Sequence, residues 1–342
     1  MYSFMNDYSE GAHPRILQMM HTFNLEQNLG YGEDVHSQRA REYIRQLIGQ
    51  PHADIHFIPG GTQTNLIAIS AFLRPHQCVI AADTGHINVH ETGAIEATGH
   101  KVVAMPNVEG KLTPAAIEAA LEYHRDEHMV QPKMVYISNS TELGTIYSHA
   151  ELAALHNLCR SHDLILYLDG ARLGSALTCK TNDVGIEEIA RLVDAFYIGG
   201  TKNGALLGEA LVICREDLKT DFRYLIKQRG ALMAKGVVTG IQFEALFQDN
   251  LFFDLAQHAN RMAERIAGAL RDCGYDFYAP PCTNQPFPIL PKALLPKLAE
   301  QFLFSVQEEI DANHSAIRLV TSWATTEESV TALIDFLHTH QA

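Results

Sequence analysis

The chain has 342 residues, 46% of them apolar and 19% charged, length enough for about two domains at roughly 150 residues each. Lys and Arg number 26 against 40 Asp and Glu, a formal net charge of −14, which argues against nucleic acid and anionic membrane surfaces because both need cationic patches. The N-terminus, MYSFMNDYSE, shows no basic stretch followed by an apolar run, so no signal peptide is expected. No window of about 18 residues is free of polar interruption, since the most apolar stretch, Phe57 to Leu73, is broken from Gly60 to Asn65. The expected location is the cytoplasm.

In chain order, an N-terminal segment (1–15) precedes a helical pattern in which Ala40, Tyr43, Ile44, Leu47 and Ile48 recur with a 3.6 period and stop at Gly49. Short apolar runs then alternate with helical patterns. The candidate strands are Ile55 to Ile58, Cys78 to Ala81, Val102 to Met105, Met134 to Ile137, Leu164 to Leu168, Ala195 to Ile198 and Ala210 to Cys214. Among the helices between them, one opens at Thr113-Pro114, with proline at the first helical position. Another opens at Ser148, with Glu151 completing a capping box. Strands apolar on both faces and separated by helices predict a largely parallel sheet covered on both sides. From Gln242 to Asp272 the pattern predicts one long helix, after which Pro280-Pro281 and Pro286 to Pro291 punctuate shorter elements. A closing helix is expected from near Thr325, with Glu328 in capping-box position, to His338. The large domain is placed at 16–245 and a smaller α+β domain at 246–342.

Six cysteines lie scattered without a CxxC pair, mostly inside apolar patterns, and read as reduced core residues. None of the 18 histidines forms HExxH; in the nearest pattern, His86-x3-His90, a helix would align two rings but supply no third ligand. No metal site is expected.

Parallel α/β sheets bind ligands at the C-terminal ends of their strands, and three such ends carry chemistry. Phe57-Ile58-Pro59-Gly60-Gly61-Thr62-Gln63-Thr64 runs from a strand through a glycine turn into a helix, leaving N–H groups and hydroxyls free for a phosphate; an ordinary tight turn is the plain alternative. Leu168-Asp169-Gly170-Ala171-Arg172 ends a buried strand on an acid that needs a partner, either a cofactor or Arg172 itself. Ile198-Gly199-Gly200-Thr201-Lys202-Asn203-Gly204 puts a lysine just beyond another buried strand, where desolvation lowers its pKa and allows Schiff-base chemistry. Phosphate anchor, acid and lysine together match what pyridoxal 5'-phosphate (PLP) requires.

The order and wording of these segments resemble the threonine aldolases of the β-eliminating lyase group, within the fold type I PLP-dependent enzymes. The resemblance rests on Tyr31-Gly32-Glu33-Asp34, Gly61-Thr62-Gln63-Thr64-Asn65, His86 with Glu91-Thr92-Gly93, Asp169-Gly170-Ala171-Arg172, Lys202 and Ile317-Arg318-Leu319-Val320-Thr321. Thr141-Glu142-Leu143-Gly144-Thr145, Gly199 to Gly204 and Ser322-Trp323 are similar to its bacterial low-specificity branch. It implies an α/β, aspartate aminotransferase-like large domain with a mostly parallel sheet and a smaller α+β C-terminal domain.

The same resemblance implies Lys202 as the lysine joined to PLP, Asp169 as partner of the pyridinium nitrogen and His86 as the ring stacked on the cofactor. Gly61 and Thr62 would hold the phosphate, and Arg172 and Arg318 the substrate carboxylate. Lys235 falls where the family has a basic residue reaching a neighbouring subunit's phosphate, which implies a homo-oligomer, a dimer or tetramer. Two positions depart from the pattern. Asn6 stands where many members have a serine touching the carboxylate, and Thr141-Glu142 stands where many have a histidine. The base acting on the substrate hydroxyl could then be Glu142, His86, Glu91 or water. The expected reaction is retro-aldol cleavage of an L-β-hydroxy-α-amino acid to glycine and an aldehyde. Its rivals are β-elimination or, further off, transamination on the same scaffold, a non-catalytic PLP-binding protein, and a metal-dependent hydrolase using His86 and His90.

Overall fold

The structure, a computed structural model, describes residues 1–340. Its strands are β1 (Tyr2–Ser3), β2 (Asp54–Ile58), β3 (Gln77–Ala82), β4 (Val102–Met105), β5 (Gln131–Ser138), β6 (Ile165–Asp169), β7 (Ala195–Gly199), β8 (Glu209–Ile213), β9 (Ile289–Pro291), β10 (Phe302–Leu303), β11 (Ser305–Glu309) and β12 (His314–Arg318). All seven expected strands form and join in one sheet of order β2-β8-β7-β6-β5-β3-β4. Pairing is parallel from β4 to β7, while β8 runs antiparallel to both β7 and β2. The sheet is therefore largely parallel with one reversed strand.

Each strand is apolar on both faces because each face meets its own core. Val135, Ile137, Leu166, Leu168, Phe196 and Ile198 pack on one side with the helices Val35–Ile48, His149–Ser161 and Val237–Phe247. Their alternates, among them Met134, Ile165, Ala195 and Tyr197, pack on the other with Gly61–Phe72 and Phe222–Gln228. This period-two sorting is what a strand buried on both sides requires. The expected helix signals operate: Thr113 and Ser148 cap their helices, Glu151 completes the box, and Gly49 ends Val35–Ile48 at φ 62°.

Two helix expectations are corrected. The stretch Gln242–Asp272 is not one helix: Val237–Phe247 ends at Gln248, and Leu251–Asp272 starts afresh. Between them Asp249 and Asn250 adopt φ 54° and 65°, a left-handed geometry that these side chains tolerate better than most. The closing helix is capped by Thr326 rather than Thr325, which puts Ser329 and not Glu328 at the third position. Thr325 is occupied elsewhere, its hydroxyl accepting from the Ser322 N–H at 2.8 Å.

A third core, containing Phe4, Met262, Ile266, Leu290, Phe302, Ile317 and Leu333, gathers the C-terminal elements. There β9, β12 and β11 form a small antiparallel sheet, and β1 pairs in parallel with β10. The helix Leu251–Asp272 begins in the first core at Phe252 and Leu255 and ends in this third one at Leu270. No helix among the described residues is long and apolar enough to cross a membrane.

Gly170 is sterically required at the end of β6. A Cβ there would lie 1.9 Å from the Tyr197 carbonyl oxygen, with Leu173 Cβ at 3.1 Å. Gly170→Ala should lower stability by about 1–3 kcal/mol or more, measured as a fall in the denaturant midpoint at unchanged slope.

Candidate active site

The residues following β2, β3, β5, β6 and β7, with Glu209 at the start of β8, line a cavity of about 790 Å3 that Tyr8, Gln307 and Arg318 also reach. Eight of the residues expected to act meet there: Gly61, Thr62, His86, Glu142, Asp169, Arg172, Lys202 and Arg318.

Asp169 ends β6 at 4% exposure. Its Oδ2 accepts from the Tyr136 hydroxyl at 2.6 Å and from Asn65 Nδ2 at 3.0 Å, and its Oδ1 accepts from the Ala171 N–H at 3.0 Å. Burial raises its pKa, but the charge of His86 and hydrogen bonds from Tyr136 and Tyr197 outweigh that and hold it below the usual carboxylate value. Arg172 is not its partner, so the alternative of a self-contained Asp169–Arg172 pair is set aside. Asn65 Nδ2 also donates to Glu91 Oε1 at 2.8 Å, and the same oxygen lies 2.8 Å from His86 Nδ1. One amide thus ties the His86 ring to the buried acid.

Lys202 makes no hydrogen bond or ion pair among the described residues. Burial lowers its pKa and nearby Arg172 lowers it further, against the pull of Asp7, Asp169 and Glu209. Such an amine is poised as a nucleophile. Glu209 was not singled out from sequence. It is 4% exposed, and burial pushes its pKa up to about 8.

Arg172 commits two nitrogens to Asp7, Nε to Oδ2 at 2.7 Å and Nη2 to Oδ1 at 3.0 Å. Asn284 Nδ2 adds a bond to the same Oδ2 at 3.0 Å. Arg318 differs. Its Nε is buried without a partner, and Nη2 makes only a 3.4 Å bond to the Met5 carbonyl. A half-buried guanidinium so poorly satisfied is a receptor for a carboxylate.

The helix Gly61–Phe72 starts at Gly60 with no side-chain cap, leaving its first N–H groups free for an anion. At Gly60 a Cβ would meet nothing within 4 Å, so the approach is open. Glu142 Oε1 accepts from the His86 N–H at 2.9 Å and from the Ser138 hydroxyl at 2.7 Å. Burial, with Asp169 adding to it, raises the Glu142 pKa despite the Ser138 bond. The rings of His86 and His90 lie 5.5 Å apart, and among the described residues no group of three His, Cys, Asp or Glu could hold a metal.

Two expected residues lie elsewhere. Asn6 turns its side-chain oxygen to the Tyr8 N–H and the Ser9 hydroxyl, both at 3.0 Å, capping its own turn outside the cavity lining. Its neighbour Asp7 is the buried residue. Lys235 is exposed just before Val237–Phe247 and away from the cavity of its own chain. Sequence reading also passed over Asn65, Tyr136 and Asn284. Asn65 sat inside a quoted motif, whereas Tyr136 and Asn284 gave no signal beyond being polar groups within apolar or proline-rich runs.

A mostly parallel sheet with a lysine, an acid and an uncapped helix end around one cavity defines the fold type I PLP-dependent enzymes. The aspartate aminotransferase of Thermus thermophilus shares the fold, with a TM-score of 0.75 at 14% identity over 99% of this chain and 91% of that one. A sequence model described as beta-eliminating lyase matches residues 6–292. A low specificity L-threonine aldolase from Pseudomonas aeruginosa is 30% identical over 340 residues, 96% of this chain and 95% of that one. The structure of the threonine aldolase from Leishmania major superposes with a TM-score of 0.98 at 51% identity, covering both chains fully. The chain belongs to the beta-eliminating lyase family, on its threonine aldolase branch, and its cofactor is PLP. The residues present fit that group, because an unpartnered lysine, an ionised buried acid and an uncapped helix end face the same space.

The Asp7–Arg172 pair gives a stability prediction. Asp7 is 1% exposed, and burial raises its pKa but Arg172 and Lys202 outweigh it, leaving the value below normal. A depressed carboxylate contributes stability above its unfolded pKa of about 3.9, and loses it as pH falls through the lower folded value. Asp7→Ala should cost roughly 3–5 kcal/mol at pH 7, and the gap to the unsubstituted protein should narrow in acid, read from denaturant unfolding at both pH values.

Proposed function

We propose that the protein cleaves L-threonine, L-allo-threonine and related L-β-hydroxy-α-amino acids to glycine and an aldehyde. The observation that carries this reading is the ill-satisfied Arg318 guanidinium on the same cavity as the unpartnered Lys202 amine. Bound there, PLP supplies an electron sink for the pair released when a bond to the substrate Cα breaks. Lys202 would hold it covalently, and Asp169, kept ionised by its donors, holds the proton on its ring nitrogen. The free N–H groups from Gly61, with the Thr62 hydroxyl, would receive the phosphate, and His86, fixed through Nδ1 by Glu91, would stack on the ring.

Arg318 donates from Nε and Nη2 to the substrate carboxylate. Arg172 has only Nη1 left after Asp7 takes the others, so it contributes charge and one donor. Fixing the carboxylate at this wall orients the bonds at the substrate Cα, and a base at the β-hydroxyl favours breaking Cα–Cβ. Glu142 keeps Oε1 on the His86 N–H and the Ser138 hydroxyl, and its carboxyl, on the cavity wall, accepts the proton of the β-hydroxyl. Its raised pKa brings it nearer to neutrality, where a general base is most effective.

The same reading includes a cytoplasmic homo-oligomer, dimer or tetramer, in which Lys235 reaches a neighbouring subunit's phosphate. Its support is the exposed position of Lys235 and the exposed apolar side chains of Leu25, Leu29, Tyr31 and Tyr224. It also includes division into a segment 1–15, a large domain 16–245 and a small domain 246–342, supported by the separate third core, with the helix Leu251–Asp272 shared between the two.

Product analysis tests the reaction. Holoenzyme given L-threonine should release glycine and acetaldehyde in equal amounts, whereas 2-oxobutyrate without glycine would overturn the aldolase reading. Arg318→Leu should lower kcat/KM roughly 10- to 100-fold, the value of hydrogen bonds to a charged group, through KM and without loss of cofactor from the purified protein. Equal loss of cofactor would move Arg318 to the phosphate.

A further inference from the structure

We infer that Glu209 is a positioning residue for Lys202, gripping with both carboxylate oxygens the two residues that precede the lysine. Its Oε2 accepts from the Gly200 N–H at 3.0 Å and its Oε1 from the Thr201 hydroxyl at 2.8 Å. The Thr201 hydroxyl in turn accepts from the Gly208 N–H at 3.0 Å. Glu209 stands opposite Gly199 in the β7–β8 register, so the acid grips the turn at the point where it leaves the sheet. A chain position that served only to fill the sheet would take an apolar residue, as Ala210, Leu211, Val212 and Ile213 do. Burying a carboxyl here costs desolvation, which these two donors and the lysine offset only in part, leaving its pKa raised.

The inference rests on the PLP reading of the site and adds a second role. The Glu209 charge faces Lys202 from its own turn, Asp169 and Tyr167 from β6, and Tyr197 from β7. In β2 the residue in register is Ile58, and the closest groups of Val237–Phe247, Thr239 and Phe243 beside Gly208, are uncharged. Lys202 is therefore the cation that faces Glu209, and although burial pushes the Glu209 pKa up to about 8, its ionised form and the Lys202 ammonium each favour the charged form of the other. Glu209 holds in place the turn that carries Lys202 and, when ionised, favours the protonated state of the lysine nitrogen.

The test is a pH titration of the visible absorption of resting holoenzyme without substrate, which reports the protonation of the nitrogen joining cofactor to Lys202. Glu209→Gln keeps the shape and removes the charge. Its midpoint should fall by about one pH unit or more, and Glu209→Asp should return it toward the original value. Thr201→Val, which removes one donor and is close in shape, should shift the midpoint the same way by less and serves alone if the Glu209 variants do not fold. A midpoint unmoved in Glu209→Gln, or in Thr201→Val where that variant alone folds, overturns the inference even if melting temperature drops, because a purely structural acid would alter stability only. Absence of cofactor absorption in the unsubstituted protein would instead sink the PLP reading beneath it.

Discussion

A carboxylate buried at the end of a strand and still ionised is the constraint around which this site is built. Asp169 can keep its charge only if donors converge on it, and each donor comes from a different element: Tyr136 from β5, Asn65 from the first turns of the helix after β2, and the Ala171 N–H from its own turn. Those donors fix the spacing of β5, β6 and the phosphate-facing helix. Through Asn65 and Glu91 they also set the angle of the His86 ring. The position of the stacked ring and that of the acid are thus one decision, made by a single amide bridging two carboxyl groups.

A second buried ion pair joins parts of the chain that are far apart in sequence. Asp7 arrives behind β1, which is paired with β10 in the small C-terminal region, and meets Arg172 from the end of β6 and Asn284 from the C-terminal part. Ion pairs of this kind contribute little net stability but penalise any arrangement that separates them. Here the arrangement enforced is the placement of the N-terminal segment over the cavity, near the wall that carries Arg318.

The central sheet was legible because burial on both faces writes itself into sequence as short unbroken apolar runs, such as Met134 to Ile137 and Ala195 to Ile198. The motif residues were legible because glycine turns, a strand-end acid and a strand-end lysine are rarely placed together without use. What stayed hidden depends on contacts across long separations. Nothing near Asp7 announces Arg172, and preference for its neighbour Asn6 came from family resemblance rather than from burial. Glu209 looked like a loop residue because the strand was read as starting one position later, where the apolar run begins. The helix break at Asp249-Asn250 was missed because both residues also sit comfortably on the polar face of a continuous helix.

The reversal of β8 has a consequence for flexibility. In a strictly parallel sheet the segment carrying the lysine would run off into a helix and be held at one end. Here the chain leaves β7 at Gly199 and re-enters the sheet beside it at Glu209, and the Gly200 and Thr201 N–H groups both bond back to the Gly208 carbonyl at 3.0 and 3.2 Å. A short segment closed on itself in this way has already lost its conformational entropy on folding. The nucleophile is presented on a closed loop rather than a tether, so little ordering remains to be done when a ligand arrives.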